Sequence, residues 1–134
     1  MTEPRCVLFF PGSRPELLSK ALASGAGLVC LDLEDAVPAE KKDEVRRSTM
    51  GLLASEEVAV PQSSSKMAVR INHPSTDAGA ADVAALEGLT GPLSLTVMVP
   101  KARSASELDT LHRRLATDGR TVSVIAVVET AAGL

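Results

Sequence analysis

The stretch Cys6-Val7-Leu8-Phe9-Phe10-Pro11-Gly12-Ser13-Arg14-Pro15 decides the fold. Its first half is an apolar run, predicted as a strand over residues 6–10, and Pro11-Gly12 stops it. A helix is predicted next, over residues 14–24, with Leu17, Leu18, Ala21 and Leu22 at helical spacing. Ser13 is the expected N-cap, with Pro15 and Glu16 in the first turn, and Gly25 and Gly27 close the helix. In a dinucleotide-binding fold, the first strand-to-helix turn carries a glycine triplet that lets backbone approach a pyrophosphate. Pro11-Gly12-Ser13-Arg14-Pro15 has no such triplet, and the chain has no Walker A sequence.

The same alternation repeats further along. Strands are predicted over residues 28–33, 67–71, 93–99 and 122–128, and helices over 39–53, 79–89 and 104–116. Asp32 interrupts the second strand, which is unusual where both sheet faces are covered. Pro38 opens a charged helix. Val45, Leu52 and Leu53 form its sparse apolar stripe, and Glu40, Lys41, Lys42, Asp43, Glu44, Arg46 and Arg47 mark a solvated face. Residues 56–65, with Pro61 and Gln62-Ser63-Ser64-Ser65, read as a surface loop. Ser104 and Glu107 have the spacing of a capping box, and Asp118-Gly119 ends the last helix.

Strict strand–helix alternation implies a parallel sheet with helical crossovers. Each predicted strand ends in polar or charged residues: Gly12-Ser13-Arg14, Glu34-Asp35, Arg70-Ile71-Asn72, Pro100-Lys101 and Glu129. Reactive side chains at the carboxyl ends of successive parallel strands are the arrangement of a TIM-barrel active site. A full barrel needs roughly 250 residues, and this chain has 134. The expectation is an α/β fold: an incomplete TIM (β/α)8 barrel with about the first five strands and four intervening helices, and part of the catalytic face outside the chain.

Composition narrows the function classes. Hydrophobic residues are 45% of the chain and aromatics 1%, so the core must rest on Val, Leu, Ile and Ala. The formal charge of -3 leaves no basic surplus for a phosphate backbone, and Phe9 and Phe10 offer little surface for base stacking. Nucleic acid is therefore not an expected partner. Cys6 and Cys30 lie in apolar runs, which predicts two buried reduced thiols. No apolar stretch reaches the roughly 18 residues of a membrane span, and Pro11-Gly12 ends the first apolar run too early for a signal peptide. A cytoplasmic protein without membrane contact is the expectation.

Among the strand ends, Glu129 is the strongest candidate. A carboxylate at a barrel mouth suits Mg²⁺, a hard cation that takes oxygen ligands and keeps several waters. The structural alternative is an exposed strand-end Glu. Glu34-Asp35 could bind metal-held waters or orient a catalytic group. Alternatively, Asp35 caps the next helix and Glu34 forms a surface ion pair. Arg70, within an apolar run, is costly unless paired. Its fork suits a substrate carboxylate or an internal salt bridge to Asp32, Glu34 or Asp35. Lys101 is an electrostatic stabiliser in the catalytic reading. His112 is expected at the surface. His73 stands at a strand exit as a loop histidine, within reach of a ligand if it has a role. Ser75 and Thr76 show no His/Asp arrangement for nucleophilic catalysis.

The ordered segments Leu8-Phe9-Phe10-Pro11-Gly12-Ser13-Arg14-Pro15, Cys30-Leu31-Asp32-Leu33-Glu34-Asp35-Ala36-Val37, Val69-Arg70-Ile71-Asn72, Val99-Pro100-Lys101-Ala102 and Val128-Glu129-Thr130-Ala131 resemble the citrate lyase beta-subunit family, within the HpcH/HpaI aldolases. The Asp-Leu-Glu-Asp-Ala-Val stretch favours its CoA-ester lyase branch. The resemblance implies that residues 1–134 are the amino-terminal part of a single barrel domain. It implies a Mg²⁺-dependent carbon–carbon lyase acting on a short hydroxyacyl thioester of CoA or an acyl carrier, of citryl, malyl or citramalyl type. Glu129 is then a metal ligand, and Arg70 binds the carboxylate of a small keto acid. Glu34 and Asp35 support the metal's waters and the reacting hydroxyl, and Gly12 and Arg14 lie where the family lines the substrate and CoA entrance. The family's second metal ligand, an aspartate on the next strand, falls beyond Leu134, so the isolated chain is expected to have little lyase activity. A homo-oligomer is expected of the complete protein. Two alternatives stay open: a non-catalytic binding or interaction fragment, and a metal-dependent aldolase on free 2-keto acids.

Overall fold

The computed structural model describes residues 5–55, 66–90, 94–117 and 119–134. Among these residues, five strands form one sheet in sequential order: β1 (Val7–Pro11), β2 (Leu28–Asp32), β3 (Lys66–Arg70), β4 (Ser94–Val99) and β5 (Thr121–Ala126). A helix follows each of the first four: α1 (Leu18–Leu22), α2 (Lys42–Leu53), α3 (Asp77–Glu87) and α4 (Ala105–Leu115). β1 pairs parallel with β2, from Val7 opposite Leu28 to Pro11 opposite Asp32. β4 pairs parallel with β5, from Ser94 opposite Thr121 to Val99 opposite Ala126. The predicted alternation is present, with strand limits shifted by one or two residues. The predicted loop over 56–65, Leu93 and Asp118 lie outside the described residues. The chain divides into two compact units, Met1–Val69 and Arg70–Leu134.

In the first unit every residue of β2 is buried. Its Leu-Val-Cys-Leu run is the continuous apolar pattern of a strand covered on both faces. Leu18 and Ala21 of α1 and Val45 and Leu53 of α2 are buried as well. The predicted first helix is shorter than expected. Pro15–Leu17 form a 3-10 turn before α1, and Arg14, not Ser13, occupies the cap position without a side-chain bond. Gly25 closes the segment at φ 82°, a conformation that costs glycine little. Pro38 likewise precedes a 3-10 turn, Ala39–Lys41, before α2. Arg46 departs from its predicted solvated face: it is buried, with Nη1 donating to Asp43 Oδ1 at 2.6 Å. A long arginine stem can be buried while its head stays paired, as it is here with Asp43. Cys30 is buried as predicted, but Cys6 is exposed. It precedes β1, whose Val7, Leu8 and Phe9 are themselves 40%, 38% and 45% exposed.

In the second unit, Ile71, Val83, Leu86, Val97, Val99, Leu111 and Leu115 are buried. α3 begins two residues before the predicted start. Thr76 caps it, its Oγ1 accepting from the Gly79 amide at 3.0 Å while its hydroxyl donates to the His73 carbonyl at 2.7 Å. Gly79 lies against the His73 backbone so closely that a Cβ would overlap it. Ser104 caps α4 as predicted, accepting from the Glu107 amide at 3.2 Å. The return bond lands one residue earlier than in a standard capping box, on the Arg103 amide at 3.0 Å. The far end of α3 is closed by Arg120. Its buried guanidinium donates to the carbonyls of Leu86 (3.2 Å), Glu87 (2.9 Å) and Leu89, groups that a helix end leaves without intrahelical partners. No helix among the described residues is long and apolar enough to cross a membrane.

Two glycines separate close packing from helix propensity. Gly79→Ala is expected to destabilise the chain by about 1–3 kcal/mol through overpacking against the His73 backbone. Gly51, inside α2 with open space around it, is expected to stabilise it by about 0.5–1 kcal/mol on replacement by Ala. Urea denaturation of both variants checks the pair of signs.

Candidate active site

In the unit Met1–Val69, the exits of β1 and β2 carry four predicted site residues. Gly12 is buried, and its amide donates to the Asp32 carbonyl at 2.9 Å. A Cβ here would lie 2.8 Å from Val45 Cγ1 and 2.9 Å from Leu31 Cδ2, so only glycine lets the β1 exit come this close to β2 and α2. Arg14 stands at the surface with Nε 3.0 Å from Glu16 Oε1. Glu16's own backbone N–H and the Arg14 guanidinium both bond the carboxylate and hold it below the usual range.

Asp32 resolves the oddity of an acid inside an apolar strand. It is buried, and its carboxylate bonds the turn that follows: Oδ1 accepts from the Glu34 amide at 2.9 Å and Oδ2 from the Ala36 amide at 3.1 Å. Lys42, at the head of α2, donates to the Leu33 and Glu34 carbonyls at 3.0 and 2.9 Å. The turn bearing Glu34 and Asp35 is thus fixed from two sides. The two acids differ in setting: Glu34 is buried and Asp35 is exposed. Asp35 does not cap the next helical segment, where Pro38 holds that position. Glu34 is buried and not at the surface where that alternative places it.

In the unit Arg70–Leu134, Arg70 is half-buried at the end of β3. The exit just beyond it is tightly held. Ile71 donates to the Met98 carbonyl at 3.1 Å. Asp82 of α3, 1% exposed, accepts from both the backbone amide (2.8 Å) and the side-chain amide (2.7 Å) of Asn72. Asp82 was not among the predicted site residues. Its signal in sequence is a lone acid on the inward face of an apolar, alanine-rich helix, flanked by buried Gly79, Val83 and Leu86. Lys101 and Glu129 meet across the exits of β4 and β5. The Lys101 backbone N–H donates to Glu129 Oε1 at 2.9 Å, and both residues are exposed. Lys101 adopts φ 50°, the single non-glycine residue at positive φ among those described.

The sequence showed no catalytic partners for Ser75, yet the structure brings three side chains together. His73 is buried, with Nδ1 2.7 Å from Ser75 Oγ and Nε2 2.7 Å from Glu107 Oε1. The second contact is short but not aligned as a hydrogen bond. Nδ1 also accepts the Ser75 backbone amide at 3.1 Å, which occupies the same lone pair a general base would use. Arg103 Nη2 reaches Ser75 Oγ at 3.3 Å. The cluster fastens the β3–α3 loop to the start of α4, and His73 is a packed residue rather than a loop histidine open to ligand. His112 is exposed as predicted, with Nε2 3.1 Å from the Val122 carbonyl.

The HpcH/HpaI aldolase/citrate lyase family matches residues 5–134. The chain belongs to this family. It is 39% identical over 126 residues to a citrate lyase subunit beta-like protein of Mycobacterium tuberculosis, covering 94% of this chain and 39% of that protein. It is 33% identical to an L-malyl-CoA/beta-methylmalyl-CoA lyase of Cereibacter sphaeroides, covering 97% of this chain and 42% of that one. Protein CitE from M. tuberculosis, solved with magnesium, acetoacetate and coenzyme A, superposes with a TM-score of 0.69 at 38% identity, over 95% of this chain and 40% of CitE. The chain spans about two fifths of the curated relatives it matches. Its alternating strands and helices are part of a TIM barrel.

The two kinds of carboxylate bond and ion pair found here differ in energetic weight. Asp82→Ala leaves buried Asn72 donors unsatisfied and is expected to destabilise the chain by about 1–3 kcal/mol. Arg14→Ala removes an exposed pair and is expected to change stability by less than about 0.5 kcal/mol. Thermal and urea unfolding of both variants make the comparison.

Proposed function

We propose that the chain is the amino-terminal part of a single barrel domain of a Mg²⁺-dependent carbon–carbon lyase, acting on a short hydroxyacyl thioester of CoA. The observation that carries this reading is the position of Glu34, Asp35, Arg70, Lys101 and Glu129. Arg70 is the last residue of β3 and the others lie two or three residues beyond the carboxyl ends of β2, β4 and β5, in a chain 38% identical to a protein solved with magnesium, acetoacetate and coenzyme A. Strand carboxyl ends are where barrel enzymes hold their chemistry.

In this reading Arg70 binds the carboxylate of a small keto acid, such as oxaloacetate, pyruvate or glyoxylate. Its planar fork accommodates two carboxylate oxygens at once and so fixes the orientation of the reacting carbonyl. Glu34 and Asp35, on their doubly anchored turn, orient the hydroxyl and the waters around it. In cleavage, the hydroxyl gives its proton to a water ordered by these carboxylates, its oxygen lone pair forms the keto C=O, and the carbon–carbon bond breaks with its electron pair passing to the thioester enolate. Gly12 and Arg14 lie on the side of CoA entry.

Oxygen donors at Glu129 suit a hard divalent cation. Among the described residues no group of three or more acidic, His or Cys side chains could hold a metal. Glu129 with waters is a donor set of the right chemistry and at the low end in number, since Mg²⁺ is usually held by one or two carboxylates. When bound, the cation stabilises negative charge that develops on oxygen.

A second reading, an interaction fragment, is favoured by exposed Val7, Leu8 and Phe9 on β1. Apolar strand surface left open promotes pairing with another chain. Size-exclusion chromatography separates the readings, since a well-behaved monomer counts against obligate pairing.

Incubated with malyl-CoA or citramalyl-CoA and Mg²⁺, the 134-residue chain is expected to give little or no cleavage over the protein-free control. Robust turnover would show that the residues present suffice. Keto-acid recognition is expected to survive at a weaker level. Saturation-transfer NMR with pyruvate should show Arg70→Lys binding about tenfold or more weakly, the size of one lost charge-assisted hydrogen bond.

A further inference from the structure

We propose that Lys101 is a positioning residue for Glu129, acting through its backbone N–H rather than its ammonium group. This rests on the reading of Glu129 as a cation ligand and adds how that carboxylate is held.

Lys101 sits at φ 50°, in the left-handed region that side chains other than glycine rarely adopt. Its flanks leave it little choice. The Ala102 amide donates to the Val127 carbonyl at 3.0 Å, and the Val127 amide donates to the Val99 carbonyl at 2.9 Å. Gly133 is packed so closely on the Ala102 carbonyl that a Cβ there would overlap it. With both sides of the turn tied to the β5 exit, the left-handed residue directs its N–H at Glu129 Oε1, 2.9 Å away. Residues in sparsely populated backbone conformations persist where their surroundings over-determine them, and such residues cluster at functional sites.

The consequence concerns Glu129. An exposed glutamate samples several rotamers, and a ligand carboxylate must hold one. The Lys101 amide fixes one oxygen and thereby restricts where the other points. Partners of this kind orient metal ligands, and their loss typically weakens metal binding by about 10–100-fold. A lysine that acted only through its ammonium would need no left-handed backbone.

Two measurements on the ¹⁵N-labelled chain test this. The first is amide hydrogen exchange at Lys101. Glu129→Ala is expected to accelerate it by about tenfold or more while β4 and β5 amides keep their protection. Unchanged exchange at Lys101 would overturn the proposal. The second uses Mn²⁺ as the probe, read as paramagnetic broadening around residues 127–130. Lys101→Gly keeps the N–H and relaxes the turn, so it is expected to bind Mn²⁺ no more weakly than the natural chain. Lys101→Val disfavours the left-handed region and is expected to bind about tenfold or more weakly. Equal affinity in all three would show that the turn does not matter, and equal loss in both variants that the ammonium does. Either result overturns the positioning role. Absence of broadening around Glu129 in the natural chain would instead overturn the cation reading, whatever the exchange measurement gives.

Discussion

Backbone amides that leave a parallel sheet lose their ladder partners and must find others. In this chain carboxylates take that role at three strand exits. Asp32 accepts the Glu34 and Ala36 amides after β2. Asp82 accepts the Asn72 amide after β3. Glu129 accepts the Lys101 amide after β4. A buried amide without a partner costs free energy comparable to a lost hydrogen bond, so Asp32 and Asp82 fix the course of the chain after β2 and β3, while the Glu129 bond is made at the surface. The turns gain rigidity from the same bonds that satisfy them.

Burial sorts the three acids. Asp32 and Asp82 are buried and bond more than one donor each. Glu129 is exposed, and one of its oxygens accepts the Lys101 backbone amide. An acid enclosed among amide donors is committed to structure. One held at a single oxygen on an accessible rim keeps capacity for a further ligand. The two buried acids hold their turns from inside, and Glu129 holds its turn at the surface.

The alternation of strands and helices was legible because each element had a strong local signal. The apolar run of β2, the Ser104 cap of α4 and Gly25 at the close of the first helical segment needed no tertiary information. What escaped depended on contacts distant in sequence. Arg120 reads as one more charge before a strand, yet it closes the end of α3 more than thirty residues earlier. Asp82 stands out as a lone acid in an apolar helix, but its partner, Asn72, is ten residues earlier. Arg46 read as solvated because its charge outweighed its stem. An apolar run predicts a covered Cys6, whereas β1 exposes much of its apolar surface. The Ser75–His73–Glu107 contacts join a loop to a helix over thirty residues later, a pairing no local motif announces.

Lys101 shows why residue type alone misleads at such a site. A lysine next to an expected metal ligand invites an electrostatic role for its ammonium, and that was the expectation from sequence. The observed bond runs from its main chain, which any residue except proline could supply. What varies among residues is the ease of reaching φ 50°. The tied flanks at Ala102 and Gly133 impose that conformation. The cost of a left-handed non-glycine residue is of order 1–3 kcal/mol. It is tolerated because the flanking bonds are lost together if the turn relaxes. The main-chain bond to Glu129 thus depends on the conformation of the turn and not on the charge of the side chain at position 101.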